Sequence, residues 1–182
     1  MKNRFILAPI AFAALAILLF LGIMRAPRGE RILESALIGK PVPQFALPNL
    51  TSPGATVSST SFQGKPYVLN VWGSWCATCR DEHNTLLQIH EMNQVPLIGV
   101  NWRDEEPAAL QWLSTLGNPY SQIAVDREGR LAIDLGVSAA PETFLIDAKG
   151  VIVYKHTGAL TLEAWKREFE PRIAGRTPPG ES

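Results

Sequence analysis

A pair of cysteines at a strand-to-helix junction places the tightest restriction on the fold. Residues 67–72 are β-branched, aromatic or otherwise apolar apart from one asparagine, and this pattern predicts a buried strand. Cys76 and Cys79 follow after a short turn, and the sequence from Cys76 to about Met92 predicts a helix. The chain of 182 residues contains no other cysteine, which excludes a disulfide-rich fold and a four-cysteine zinc site.

The position of Cys76 at the start of a helix favours redox chemistry. The free N–H groups and the partial positive charge of a helix N-terminus stabilise a thiolate, which is the form of cysteine that attacks a disulfide. Cys79 lies one helical turn further on. It is therefore within reach to resolve the mixed disulfide that the first attack creates.

Three other interpretations of the cysteine pair are open but weaker. Half of a zinc site would need two more ligands, and the three histidines show no paired ligand spacing, so we expect no metal. A c-type haem attachment site requires a histidine directly after the second cysteine, where Arg80 stands. A purely structural disulfide would close so small a loop that it would restrict the unfolded chain very little.

Two polar side chains near the cysteines fall where the pattern predicts burial. Glu82 lies one turn after Cys79, on the helix face that carries Leu86. Because a buried carboxylate is costly unless it is used, Glu82 is a candidate proton acceptor for Cys79. On spacing alone, a carboxylate at the helix end that points into water is an equal alternative. Asn70 interrupts the predicted strand, and a hydrogen-bonded core amide is the favoured interpretation.

The rest of the chain alternates between predicted strands and helices, which indicates an α/β fold with a mixed β-sheet flanked by helices. Short strands are expected within residues 41–50 and 51–64. Longer strands are expected at 96–102, 122–126, 142–147 and 151–156, the last two as a hairpin. Helical segments are expected at 106–116, at 130–135 and from Thr161, as the N-cap, to Ile173.

Residues 5–24 form an uncharged run of 20 residues, of which 18 are hydrophobic. The length matches a bilayer core and there is no polar stripe, so the run predicts one N-terminal transmembrane helix, with a cleaved signal peptide as the alternative. Basic residues flank the run on both sides, so charge does not determine its orientation. The predicted organisation is a cytoplasmic tip and transmembrane signal-anchor at 1–24, a linker at 25–37, a folded domain at 38–173 and a disordered tail at 174–182.

Several segments together resemble the thioredoxin superfamily. The Trp-Cys-Ala-Thr-Cys segment at 75–79 follows a Leu-Asn-Val-Trp strand, and Pro141 opens a later strand. Segments 70–76, 79–83 and 136–147, the last with its Pro-Glu-Thr-Phe sequence, resemble the DsbE/CcmG group more narrowly. These are membrane-anchored periplasmic thiol:disulfide interchange proteins of cytochrome c biogenesis. The resemblance covers residues 38–173 and includes the N-terminal anchor.

The resemblance implies a thioredoxin-like fold and gives catalytic roles to three residues. Cys76 matches the nucleophile and Cys79 matches the resolving cysteine. Glu82 matches an acidic residue of the group near the active site. Asn70 occupies the position of a buried aspartate in ordinary thioredoxins, so Glu82 is expected to serve in its place.

Four residues are implied on the substrate side. Pro141 matches a cis-proline beside the disulfide, and the preceding Ala140 offers backbone hydrogen bonds to a substrate strand. Glu142 is a second acidic candidate. Trp75 is the fourth candidate because it is next to Cys76: a tryptophan at this position is either part of the core, as most buried tryptophans are, or packs over the reactive sulfur.

The resemblance also implies the reaction, the partners and the location. The expected activity is reduction of disulfides of apocytochrome c, directly or through a partner thiol protein of cytochrome c maturation, so that haem can be attached. A transmembrane thiol reductase is expected to supply the electrons, and no cofactor is expected besides the redox-active disulfide of Cys76 and Cys79. The expected form is a monomer with its domain in the periplasm, held to the bacterial inner membrane by a single span. The 17 basic and 17 acidic residues cancel, which gives no electrostatic argument for binding nucleic acid.

Two departures from the group and several alternatives qualify this interpretation. Ala77 stands where the group usually has proline, so the usual reduction potential of the group is not carried over to this chain. Ala139 stands where the group has glycine, and its methyl group is expected to narrow the substrate groove.

An anchored thioredoxin-like reductase for another exported target, such as an oxidase copper-site protein or spore-envelope proteins, fits the same residues. A DsbA-type oxidant is disfavoured because no helical insertion is visible, and a peroxiredoxin because its cysteine motif differs. A non-enzymatic scaffold with a structural disulfide is the last alternative.

Overall fold

The computed structural model describes residues 12, 15, 17, 18, 36–176 and 178. The chain divides into two units, residues 1–31 and residues 32–182, and the four described residues of the first unit are helical and exposed. Of the described residues, none belongs to a helix that is long and apolar enough to cross a membrane. The predicted signal-anchor, linker and tail lie for the most part outside the described residues, so they stay predictions.

A five-stranded mixed sheet forms the centre of the second unit. Two short antiparallel strands, β1 (Ala46–Pro48) and β2 (Thr56–Ser58), precede it. Its own strands are β3 (Tyr67–Trp72), β4 (Leu97–Trp102), β5 (Gln122–Asp126), β6 (Glu142–Ile146) and β7 (Ile152–Thr157). The spatial order is β5-β4-β3-β6-β7, with β3, β4 and β5 parallel and β6 antiparallel to both of its neighbours. The predicted α/β fold with a mixed sheet is therefore confirmed.

The helices occupy the segments in which the sequence predicts them. They are α1 (Ala77–Met92), α2 (Glu106–Leu116) and α3 (Arg130–Asp134). The helix α1 starts one residue later than predicted, because Cys76 is its N-cap. It ends at Met92, and the C-cap residue Asn93 adopts the left-handed conformation common at helix C-termini.

The last helix departs from the single regular helix that the sequence predicts. Thr161 caps its start as expected, since its Oγ1 accepts a hydrogen bond from the Ala164 N–H at 3.1 Å. The helix then runs as Leu162–Ala164, a π-helical turn at Trp165–Phe169, and Glu170–Ile173. Pro171 lies just after the π turn, and because proline has no N–H it cannot complete a regular hydrogen-bond ladder there. The two aromatic rings of the turn stay buried and stack 4.9 Å apart.

The alternation of side chains along β3 divides the core between the two faces of the sheet. Val68 and Trp72 pack in the layer that contains α1, α2 and the last helix. Leu69 and Val71 pack in the opposite layer. Their neighbours there are side chains from the segment before β3, from the other strands of the sheet and from α3. The strand β3 is the central strand of the five, and every one of its residues is buried. Its carboxyl end leads into the cysteine turn.

Candidate active site

The cysteine pair lies in the turn between the central strand and α1. Cys76 and Cys79 form a disulfide, and both residues are buried. As the N-cap of α1, Cys76 accepts a hydrogen bond at Sγ from the Cys79 N–H, at 3.1 Å. One unpaired amide of the helix start is therefore aimed at the sulfur on which a thiolate charge would form. Within the described part of the chain, no group of three or more His, Cys, Asp and Glu side chains is placed to hold a metal ion.

Trp75 forms an exposed aromatic surface next to Cys76. The residue is 53% exposed, and its Nε1–H donates to the carbonyl oxygen of Trp102 at 3.2 Å. The two indole rings meet edge to face. A Cβ atom on Gly73 would lie 2.5 Å from Nε1 of Trp75, so a residue larger than glycine would displace the indole. The ring that we expect to contact substrate is thus fixed in position yet open to solvent.

Ala140 and Pro141 lie at the same end of the sheet as the disulfide. The peptide bond between them is cis. Glu142 pairs with Val71 of β3, which brings the start of β6 alongside the end of the central strand. Ala140 packs against the apolar cluster that includes both cysteines. The structure therefore brings the proline loop and the cysteine turn together, as the resemblance implied.

Glu82 is buried in the core, with 1% of its surface exposed. Its Oε1 accepts a hydrogen bond from Asn70 Nδ2 at 2.8 Å, and its Oε2 accepts one from the Leu160 N–H at 2.7 Å. Burial raises the pKa of this carboxyl to about 7, and the hydrogen bonds from Leu160 and Asn70 offset the increase only in part. The alternative in which Glu82 points into water is therefore wrong.

Asn70 connects Glu82 to two further buried side chains. Its Nδ2 also donates to Thr143 Oγ1 at 3.0 Å, and its Oδ1 accepts from the Tyr120 hydroxyl at 2.7 Å. Burial, and after it the charge of Glu82, raises the pKa of Tyr120, so the hydroxyl stays protonated and donates. The hydrogen bond from the Tyr120 hydroxyl to Oδ1 orients the Asn70 amide so that its NH2 group faces Glu82. The interpretation of Asn70 as a hydrogen-bonded core amide is confirmed, but neither Tyr120 nor Thr143 was identified from the sequence.

Glu142 lies on the opposite face of the sheet from Glu82. It is fully buried, and its Oε1 accepts hydrogen bonds from the N–H and the hydroxyl of Ser138 at 3.2 and 2.9 Å. Its Oε2 lies 2.8 Å from Lys155 Nζ. Glu142 pairs with Val71, whose side chain packs in the layer away from the cysteines, and directly paired residues share a face. The structure thus makes Glu142 an internal support of the proline loop, without the exposed surface that a direct substrate contact needs.

Asp104 is a buried carboxylate that the sequence interpretation missed. Its Oδ2 accepts hydrogen bonds from the Ser74 N–H at 2.6 Å and from Asn101 Nδ2 at 2.8 Å. Its Oδ1 accepts from the Ser74 hydroxyl at 2.7 Å and from the Glu105 N–H at 2.8 Å. Asp104 therefore ties the cysteine turn to the end of β4. The parallel pairing of β3 and β4 is the signal that points to it, because the carboxyl ends of parallel strands meet at one edge of a sheet.

Replacing Asp104 by asparagine is expected to loosen the cysteine turn. The one carbonyl oxygen of asparagine cannot serve donors on both sides of the group, so a buried donor loses its partner at a cost of about 2–3 kcal/mol in the free energy of unfolding. Urea denaturation of the oxidised protein, followed by tryptophan fluorescence, measures this change. Asp134→Asn, on the exposed side of α3, is the control and should cost less than about 0.5 kcal/mol. Equal losses at the two positions would contradict the role of Asp104.

Comparison with known proteins finds close relatives over most of the chain. A family model described as Redoxin matches residues 37–169. The chain is 51% identical over 141 residues to the thiol:disulfide interchange protein DsbE of Tatumella citrea, which covers 77% of this chain and 76% of that protein. It is 45% identical over 175 residues to DsbE of Escherichia coli (strain K12), which covers 94% of each.

The solved structures agree with the fold described above. A secreted thiol-disulfide isomerase from Corynebacterium glutamicum matches with a TM-score of 0.66 at 25% sequence identity. The match covers 73% of this chain and 85% of that one. The thioredoxin-like fold expected from the sequence is confirmed.

Proposed function

We propose that this chain, which belongs to the Redoxin family and within it to the DsbE group of thiol:disulfide interchange proteins, reduces disulfides of exported proteins. Membership of this group makes it a thiol-disulfide oxidoreductase, and the reducing direction and the substrate are the proposal. The substrate is apocytochrome c, reduced at its haem-binding cysteines either directly or through a partner thiol protein of cytochrome c maturation. Reduction makes those cysteines available for haem attachment.

The observation that carries this proposal is an N-capping cysteine and a buried carboxyl on one helix. Cys76 Sγ receives a backbone hydrogen bond at the positive end of α1, which favours its thiolate. Glu82, one turn beyond Cys79, has a pKa of about 7, which suits a group that takes up and returns a proton near neutral pH. Disulfide exchange through two cysteines uses both features: an ionised attacker and an acceptor for the proton of the second thiol.

In the proposed reaction the reduced protein transfers two electrons to the substrate. The Cys76 thiolate attacks one sulfur of the substrate disulfide, which forms a mixed disulfide and releases the other sulfur as a thiolate. Glu82 takes the proton of the Cys79 thiol, and the Cys79 thiolate then attacks Cys76 Sγ. The Cys76–Cys79 disulfide forms and the second substrate thiolate leaves. One substrate thiolate takes the proton that Glu82 holds, and the other takes a proton from water.

The substrate chain is proposed to lie in an extended form between Trp75 and the proline loop. The backbone of Ala140, beside Pro141, provides hydrogen-bonding groups for such a segment. Trp75 provides an exposed ring on the other side of the cysteine turn. Glu142 acts through the loop, which its hydrogen bonds to Ser138 hold in position.

The proposed location is the periplasm, with the chain anchored in the bacterial inner membrane through residues 5–24. A disulfide reductase needs substrates in a compartment where disulfides form, so the basic residues before the anchor remain on the cytoplasmic side. The chain has no third cysteine, so a transmembrane thiol reductase is proposed to re-reduce the active pair. We propose a monomer with no cofactor besides its redox-active disulfide.

Capture of a mixed disulfide tests the identity of the substrate. In a Cys79→Ser variant the resolving thiol is missing, so Cys76 should stay covalently bound to its partner in membranes. We expect a complex with apocytochrome c or with a thiol protein of its maturation, identified by mass spectrometry after non-reducing electrophoresis. A variant with both cysteines replaced is the control for unspecific disulfides.

The other outcomes of this capture distinguish the alternatives. A copper-site protein of oxidase assembly in the complex would favour a reductase for that target. The absence of any covalent partner, together with failure to reduce a cytochrome peptide, would favour a scaffold whose disulfide is structural.

A further inference from the structure

A cavity of ≈ 350 Å³ opens beside the cysteine turn, between the start of α1 and the helix α2. Ser74 and Arg80 border it, so it adjoins the chain on both sides of the cysteine pair. The opposite wall belongs to α2, which contributes Ala108, Gln111, Trp112, Thr115 and Leu116. The reaction proposed above makes no use of this cavity.

Arg80 is the charged group of the cavity, and it is held by an aromatic ring. Its guanidinium carbon lies 4.4 Å from the centre of the Trp112 ring. Stacking of this kind covers one face of the guanidinium plane but leaves the N–H donors at its edge available. Within the described part of the chain, Arg80 forms no ion pair and no side-chain hydrogen bond.

The ring under Arg80 is itself fixed by a chain of hydrogen bonds. The Nε1–H of Trp112 donates to Nδ1 of His83 at 3.2 Å, and Nε2 of His83 donates to the carbonyl oxygen of Gly117 at 3.1 Å. Burial, as the main cause, lowers the pKa of His83, which keeps the imidazole in the neutral form that can accept from the indole. Arg80 therefore stacks on a rigid platform, and its position beside the cavity is set before any ligand binds.

We propose that this cavity docks an acidic side chain of the partner polypeptide, bound by the Arg80 guanidinium group close to the disulfide that Cys76 attacks. This inference rests on the proposed function, because it describes a feature of the protein that is reduced. Charge complementarity carries it, since a guanidinium edge with free donors matches the two oxygens of a carboxylate. The exposed Gln111 adds a polar side chain to the same cavity.

The expected contribution is moderate because Arg80 is exposed. An ion pair between exposed side chains contributes little free energy to binding. A bidentate pair with a pre-positioned arginine lies at the upper end of the range of such contributions. We therefore expect kcat/KM for an acidic substrate to exceed that for its neutral counterpart by about three- to fivefold at low salt. The preference should shrink as ionic strength rises.

Pairs of cyclic cystine peptides test the proposal. The two members of a pair are identical except for glutamate or glutamine at one position, and the set moves this position along the residues that flank the cysteines. The unmodified protein should prefer the glutamate peptide at the positions that reach the cavity. Arg80→Gln should bring the ratio of the two kcat/KM values close to one, and Arg80→Glu should create a preference for the corresponding lysine peptide.

Lys149→Gln is the control for net charge. It removes the same charge from the exposed turn between β6 and β7, at the end of the sheet away from the cysteines, and should keep the ratio of the unmodified protein. The ratio also cancels any effect of Arg80 on the reactivity of the neighbouring thiols, because both peptides meet the same thiols.

Three results would overturn the proposal. The first is a ratio close to one at every position in the unmodified protein, and the second is a ratio that Arg80→Gln leaves unchanged. The third is an equal loss of preference in Arg80→Gln and Lys149→Gln, which would assign the preference to net charge. Failure to reduce any peptide would contradict the proposed function itself, and the docking site would fall with it.

Discussion

Replacing Cys76 by serine is expected to abolish disulfide reduction, with turnover lowered by more than about a thousandfold. A serine hydroxyl is not ionised near neutral pH and cannot form a mixed disulfide, so the hydrogen bond from the Cys79 N–H would have no thiolate to stabilise. Reduction of insulin, followed by precipitation of the released chain, measures turnover in solution. Haem attachment to a cytochrome c measures it in cells.

Cys79→Ser is the matched control, because it makes the same chemical change one helical turn further along. When the reduced variant is mixed with dithiobis(nitrobenzoate), it should release one equivalent of coloured thiolate and stop, whereas the unmodified protein should release two. Cys76→Ser should release no coloured thiolate at the rate at which Cys76 of the unmodified protein reacts. If Cys76→Ser still supported haem attachment in cells, Cys76 would not be the nucleophile.

The local elements around the cysteines are predictable because their signals are local. The apolar residues of β3 lie in one uninterrupted buried strand, and α2 has Pro107 in its first turn, where a missing N–H costs little. Helical spacing puts Glu82 on the same face as Leu86, and both residues are buried. Spacing could not decide between burial and solvent for a residue so close to a helix start, and the contacts of Leu160 and Asn70 decide it.

The partners of Asn70 could not be predicted in the same way. Thr143 is 73 residues away in the chain and Tyr120 is 50 residues away. Thr143 meets Asn70 because β3 and β6 pair in one particular antiparallel register, which no local pattern encodes. The sequence indicates only that an amide in a buried strand needs partners.

The two acidic residues of the motifs look equivalent in the sequence and differ in the structure. Glu82 shares its helix face with buried apolar residues and reaches the layer that contains the disulfide. Glu142 belongs to a strand, in which neighbouring residues face opposite layers, and its pairing with Val71 turns it away from the disulfide. Register therefore places Glu142 in the layer opposite the disulfide, and leaves Glu82 as the carboxyl in the layer of Cys79.

Glu82→Gln is expected to slow the resolving step by about a hundredfold at neutral pH, which is the typical contribution of a positioned general base. Cys79 is buried, so bulk water is a poor substitute acceptor. The second release of coloured thiolate from dithiobis(nitrobenzoate), followed by stopped flow, measures this step. In the unmodified protein its rate should rise with pH through about 7 as Glu82 ionises, and the variant should lose that rise. Asp81→Asn replaces the carboxyl of an exposed neighbour by an amide, and this variant should keep the rise of the rate with pH.

The same carboxyl makes the stability of the oxidised protein depend on pH. Burial raises the pKa of Glu82 from the usual 4.5 to about 7, so the native state holds a proton that the unfolded chain releases. This contribution to the free energy of unfolding is fully present below pH 4.5 and is lost as pH rises through about 7, a total of about 3 kcal/mol.

Glu82→Gln serves as the reference, because glutamine does not titrate and the hydrogen-bond donor that it leaves unpaired lowers the free energy of unfolding equally at every pH. Urea denaturation across this range should therefore show the unmodified protein losing stability relative to Glu82→Gln. Parallel pH profiles for the two proteins would mean that the pKa of Glu82 is not raised, and Glu82 would then no longer be suited to accept the Cys79 proton.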